Sequence, residues 1–206
     1  MSAPRTNQTG PAGTALPRRS WLAALALVVA VLSVALPLPA AESPVALEYK
    51  VKAGYLYNFA KYVEWPDTPA RSGDNPSPTP LVIGVLGGQE VLPILQQVLH
   101  GKTVEGRPLL LKAVTKLNAE PGCHILFVHR SAGQAPAQIR QSLGQAPVLL
   151  VGETEGFAEE GGMIGFVRED ESFRIRLNLE ASNQAGLKVS AKLSSIARLV
   201  KTRPQP

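Results

Sequence analysis

The chain has 206 residues, a formal charge of +5, 45% hydrophobic and 5% aromatic residues, and one cysteine. That length holds one compact domain plus a tail; the apolar content excludes wholesale disorder and a multi-span membrane protein, and the lone Cys123 excludes an intrachain disulfide. The charge is uneven: residues 1–40 hold Arg5, Arg18 and Arg19 and no acid, so the remainder carries 18 basic against 16 acidic side chains. That remainder is close to neutral and has no basic stripe interleaved with aromatics, so nucleic acid is set aside as a partner.

Residues 1–20 are polar and end near the pair Arg18-Arg19, and residues 22–36 follow as an apolar run with only Ser33 polar. Pro37 and Pro39 break that run before Ala40-Ala41. A basic region, a short apolar core and small residues at its end predict a secretory signal peptide over residues 1–40, cleaved near Ala40. Leu38 is larger than the small residue expected two positions before the cut, and an uncleaved signal anchor is the alternative, the apolar run just reaching spanning length when Ser33 and both prolines are included. The arginine pair leaves general and twin-arginine export both open. Each route puts residues 41–206 in the periplasm.

Residues 45–65 carry Leu47, Val51, Gly54-Tyr55, Asn58-Phe59 and Tyr62 at spacings of three and four, which predicts a helix with that stripe buried. Pro66 ends it, and residues 66–80 form a Pro-rich loop. A strand–helix rhythm then begins. The apolar run 81–86 is a buried strand stopped by Gly87-Gly88, and Val91, Leu92, Leu95, Val98 and Leu99 repeat at helical spacing. Residues 109–114, 124–128 and 148–151 are further strands, with a weak helix over 134–143. Residues 162–167 and 172–179 flank the charged turn 168–171 as a hairpin, Phe173, Ile175, Leu177 and Leu179 alternating with Arg174, Arg176 and Asn178. Val189, Leu193, Ile196-Ala197 and Val200 predict a closing helix. The class expected is α/β: one compact domain, a mixed sheet with helices on both faces, and a C-terminal β-hairpin plus closing helix.

His124 and His129 are five apart across a strand and point to opposite faces, and no CxxC or HxxxH spacing exists, so no metal is expected. His100-Gly-Lys-Thr103 resembles the tail of a phosphate-binding loop, but Gln96 stands where its first Gly is required. Ser131 misses the nucleophile-elbow pattern because His129 replaces the leading Gly. The acids Glu153, Glu155, Glu159 and Glu160 read as a solvated loop. Cys123 is a small buried hydrophobe or, alternatively, a redox-active thiol. No catalytic set survives, so no enzyme activity and no cofactor are expected.

Three segments together resemble the YfiR family of periplasmic proteins: VKAGYLYNFAKYVEWP (51–66), GKTVEGRPLLLK with CHILFVHRS (101–112 and 123–131), and residues 156–200 with the Gly-Gly-Met-Ile step and the Ser-x-Lys-Leu closing helix. The resemblance spans about residues 45–201. It implies a secreted α/β domain over 41–206 without known catalysis. It also implies a homodimeric repressor that binds the periplasmic region of an inner-membrane diguanylate cyclase, lowering cyclic di-GMP and biofilm formation. The family also occurs beside other membrane sensor proteins, histidine kinases among them. Only Cys123 is present here, so an intrachain disulfide switch does not carry over.

A binding protein needs an exposed apolar patch rimmed by polar groups. Tyr57 and Trp65 fall off the main stripe of the first helix and are partner-binding candidates, with Val189, Leu193 and Ile196 of the closing helix. A second function is an extracytoplasmic small-molecule sensor module. Strand ends at Gly87-Gly88 and Gly152 form a crevice at the carboxyl edge of the sheet, with Arg130 and Glu153 as ligand-binding candidates.

Overall fold

The computed structural model describes residues 42–66, 79–118, 122–170 and 172–204. The predicted leader, and residues 67–78 of the Pro-rich loop predicted over 66–80, lie outside the described residues. Ser43 starts the first helix, its Oγ accepting from the Ala46 N–H at 3.1 Å, and Pro44 occupies the first turn, where a missing N–H costs nothing.

Helix α1 (Pro44–Tyr62) runs into β1 (Val63–Glu64). There follow β2 (Leu81–Leu86), a 3-10 turn (Gln89–Val91), α2 (Leu92–Leu99), β3 (Thr103–Val104), β4 (Arg107–Val114) and β5 (Ile125–Val128). After a second 3-10 turn (Arg130–Ala132) come α3 (Pro136–Leu143), β6 (Leu149–Gly152), β7 (Ile164–Glu169) and β8 (Ser172–Leu177). The chain closes with α4 (Leu179–Gln184), β9 (Lys188–Val189), α5 (Ala191–Ile196) and β10 (Arg198–Leu199).

Eight strands make one mixed sheet in the order β10-β8-β7-β6-β5-β2-β4-β3, while β1 and β9 pair separately. The strands from β4 through β2, β5 and β6 to β7 are parallel neighbours, and β7 with β8 form the antiparallel hairpin. Every residue of β5 and β6 is buried, which is why both read as continuous apolar runs. The crossover β2–α2–β4 steps one way along the sheet and β5–α3–β6 steps the other. Right-handed crossovers therefore place α2 and α3 on opposite faces. Helix α1 packs beside α2, and its Phe59 ring meets Phe166 of β7 at 5.9 Å. The α/β class, the mixed sheet with helices on both faces and the C-terminal hairpin are as expected.

Four details differ from the sequence reading. The stripe predicted to be buried on α1 is turned partly outward: Leu47 is 58% and Val51 42% exposed, while of its members Phe59 is buried, and Tyr49, Lys52, Ala53, Leu56 and Ala60 join Phe59 at the core. The reason is Lys52, whose charge makes the true core face read as polar. The closing helix spans only Ala191–Ile196, not Val189 to Val200. Ser190 caps it, and the Val200 N–H donates to the Leu177 carbonyl at 2.9 Å, drawing β10 into the sheet. Asn178, expected on the exposed face of the hairpin, is fully buried. Its Oδ1 accepts from the Ala181 N–H at the start of α4, and its Nδ2 donates to the Ala158 carbonyl and Thr202 Oγ1. Finally, β3 and β4 form an unpredicted hairpin around Glu105-Gly106, both with positive φ, the two-residue turn that twisted strands favour.

Candidate functional site

The oppositely directed crossovers start from β2 and β5, which are neighbours in the sheet. Their carboxyl ends part there, leaving the crevice where open α/β sheets bind ligands. Gly87-Gly88 leaves β2, His129-Arg130-Ser131 leaves β5 and Glu153 leaves β6. Gly88 has φ +57, and a Cβ there would lie 2.5 Å from Cγ of His129, so the two strand ends meet at this distance only because residue 88 has no side chain.

Glu153 is the hub, with a side chain 1% exposed. Its carboxylate accepts from the Tyr49 hydroxyl (2.9 Å), the Arg130 backbone N–H (2.9 Å) and Arg130 Nε (3.2 Å), and pairs with Lys52 Nζ. Lys52 is equally buried; it pairs at 2.5 Å with Glu48, one helical turn before it, and lies over the Tyr49 ring at 4.5 Å. Glu48 carries the network outward to Arg130 (2.9 Å) and Arg168 (3.6 Å). Burial by itself would raise the Glu153 pKa, but the bonds from Lys52 and Arg130 outweigh it, and the carboxyl is held below its ordinary value. Tyr49 moves the other way, pushed up by burial and then by the Glu153 charge, so it stays a neutral donor. The Glu153 hydrogen bond in turn raises the Arg130 pKa.

His129 completes the cluster. Its Nδ1 accepts from the Ser131 N–H at 3.1 Å and lies 2.7 Å from Ser131 Oγ, which leaves Nε2 to carry the proton toward Glu153 Oε1 at 3.4 Å. A serine, a histidine and a carboxylate are thus in line. The serine is nevertheless held in the capping turn two residues after the histidine, with its Oγ also accepting from the Gly88 N–H at 3.1 Å. The Glu153 oxygens are already occupied by cations and by Tyr49. The array therefore behaves as a charge-balanced lock between α1 and the sheet edge. Arg130 and Arg168, with side chains 58% and 66% exposed, reach from it into solvent, as does Glu90, 68% exposed and 3.7 Å from His129 Nε2. Among the described residues no three of His, Cys, Asp and Glu are placed to hold a metal ion.

The two ligand-binding candidates, Arg130 and Glu153, are thus brought together. Two of the four acids read as a solvated loop are buried instead: Glu153 here, and Glu159, which pairs with Arg176 at 2.6 Å on the other face of the hairpin. The partner-binding candidates scatter. Tyr57 is half-buried, donating to the Thr103 carbonyl at 3.3 Å, and Trp65 donates to the His124 carbonyl at 3.1 Å with its ring edge-on to that histidine. Leu193 is fully buried, Val189 half-buried and Ile196 60% exposed. Cys123 is buried beside Gly84, and burial pushes its thiol pKa up to about 11, so it stays protonated and poorly nucleophilic. Sequence reasoning missed Glu48, Tyr49, Lys52 and His129. The i,i+4 spacing of Glu48 and Lys52 was the available signal, and it is normally read as a surface pair.

The family model described as YfiR/HmsC-like matches residues 49–198, which takes in most of α1, all of the cluster but Glu48, and nearly all of the sheet. No curated protein matches the chain. Among solved structures it is similar to a conserved domain protein from Vibrio cholerae O1 biovar El Tor strain N16961, with a TM-score of 0.49 and 10% identity. That similarity covers 74% of this chain and spans 60% of the Vibrio protein's length. The match over residues 49–198 establishes that the chain belongs to the YfiR/HmsC-like family, a family of periplasmic regulators in cyclic di-GMP signalling.

Proposed function

We propose that this protein binds the periplasmic region of an inner-membrane signalling enzyme, a diguanylate cyclase, and holds it inactive, thereby lowering cyclic di-GMP. It does so as a homodimer whose leader has been removed near Ala40, and it acts by binding rather than by catalysis. The observation that carries this reading is the family match over residues 49–198. The cluster at the sheet edge supports it, because every buried charge there is satisfied internally and no nucleophile is left activated. Signal transfer is then a shift between bound and free repressor, set by whatever changes their relative affinity. Deleting the gene should raise intracellular cyclic di-GMP, and restoring it should reverse the rise. An unchanged level in the deletion strain would count against the proposal.

A second reading has its own observation. Arg130 and Glu153 meet at the switch point of the sheet, where a small polar ligand can bridge the exposed guanidinium and the strand ends. On this reading the protein is a sensor module, and ligand binding gates repression. A ligand screen by thermal shift tests it: a true ligand raises the melting temperature with its concentration, and Arg130→Ala abolishes the rise.

A further inference from the structure

The last stretch of the chain differs in charge from the rest of the described domain. Residues 181–206 contain no Asp or Glu, yet they hold Lys188, Lys192, Arg198, Lys201 and Arg203. Among the described residues none of these five is in an ion pair, whereas Lys50, Lys52, Arg130, Arg168, Arg174 and Arg176 all are. Two aliphatic side chains are interleaved with the cations: Ile196, 60% exposed, and Leu199, 55% exposed. Leu199 lies on β10, the edge strand with a neighbour on one side only, and Ile196 ends α5 three residues before Leu199.

Leu199 and Val200 also line a groove of about 530 Å³ with Leu179, and Glu180 is the one acid along it. Among the described residues, other carboxylates near the segment are Glu64, opposite Lys188 in the β1–β9 pair, and Glu159 and Glu160, which lie beside Thr202 and Arg203 at its far end, away from Lys192, Ile196 and Leu199.

We infer that this edge, centred on Lys192, Ile196, Arg198, Leu199 and Lys201, is a docking surface for an anionic phospholipid bilayer. Aliphatic tips reaching the acyl boundary, with cations beside them at headgroup level, are how a peripheral protein uses such a surface. Charge complementarity selects this occupant. A second copy would set cation against cation. A stereospecific acidic protein partner calls for cations held in place, whereas no carboxylate positions any of these, which suits the diffuse charge of a lipid surface. The inference does not depend on which membrane enzyme is regulated. It would place the regulator at the inner membrane before any protein contact forms.

The test is flotation of the protein, purified as the cell exports it, with phosphatidylcholine vesicles that contain or lack a minority of phosphatidylglycerol. The protein should float with the anionic vesicles only and be released by raised salt. Each charge removed from the set Lys192, Arg198 and Lys201 should weaken partitioning about fivefold. The single neutral change Lys201→Gln and the triple reversal K192E/R198E/K201E give graded readings on exposed positions. Ile196→Ser with Leu199→Ser should weaken binding while leaving its salt dependence in place. Failure to float with anionic vesicles, equal binding to pure phosphatidylcholine, or binding that survives the triple reversal (as an uncleaved leader would give) would each overturn the inference. So would selective capture by an acidic protein domain without vesicle binding.

Discussion

Lys52 and Lys192 are the same residue type, each resting over a tyrosine ring at 4.5 and 5.0 Å, and they do opposite things. Lys52 is 1% exposed between two carboxylates, and its burial is possible only because Glu48, Glu153, Tyr49 and Arg130 converge on the same crevice. Lys192 stands on the surface of α5 in a stretch without acids. The comparison teaches that a charge's role is set by what is brought to it. At the switch point every cation has a carboxylate and the result is a lock. At the β10 edge the cations are unpaired, and the result is a surface open to something outside the molecule.

The sharpest way to break that contrast is Lys52→Ala, which leaves Glu153 and Glu48 facing each other with one cation fewer. It should cost about 3–5 kcal/mol, read by urea denaturation. The double change Lys52→Met with Glu153→Leu should recover most of that loss, because a packed apolar pair can replace a buried ion pair. Next, Gly88→Ala forces a Cβ against the His129 ring and should cost about 1–3 kcal/mol.

The lock also predicts the shape of the pH–stability curve. The Glu153 folded pKa lies below the ordinary glutamate value of about 4.3, so its contribution is complete above about pH 5 and is lost as the pH falls through the folded value. The Tyr49 folded pKa is raised, so its contribution is complete below about pH 10 and is lost as the pH climbs beyond it. Glu153→Gln should therefore flatten the acid limb, and Tyr49→Phe the alkaline limb. At the other region, reversing Lys192, Arg198 and Lys201 should move stability by no more than about 1 kcal/mol, since these exposed side chains make no ion pair and Lys192 gives up only its contact with the Tyr62 ring. Smallest of all, Cys123→Ser should leave regulatory activity intact, and the native thiol should label only as fast as the protein unfolds.

The sequence made the sheet legible because its central strands are short apolar runs, β2 and β6 closed by glycine, and 81–86 coincides with the observed β2. The hairpin β7–β8 was legible from strict alternation up to Leu177. Legibility failed where a polar residue is buried by a distant partner. Lys52 turned the reading of α1 by almost half a helical turn, since its partner Glu153 is 101 residues away and no local pattern announces the pair. Asn178 failed for a related reason, its side chain being consumed by the cap of α4 and by the C-terminal tail. The closing helix looked longer than it is because sheet pairing at β10 overrode the helical spacing. Arg130 and Glu153 were found from their place at strand ends, while the residues that α1 contributes to the same cluster were not.

The most direct test of the regulatory account is affinity purification of the tagged protein from gently solubilised membranes, followed by mass spectrometry. The account predicts recovery of an inner-membrane diguanylate cyclase in an amount that tracks the bait. Recovery of a membrane histidine kinase alone, or of no membrane enzyme at all, would contradict it.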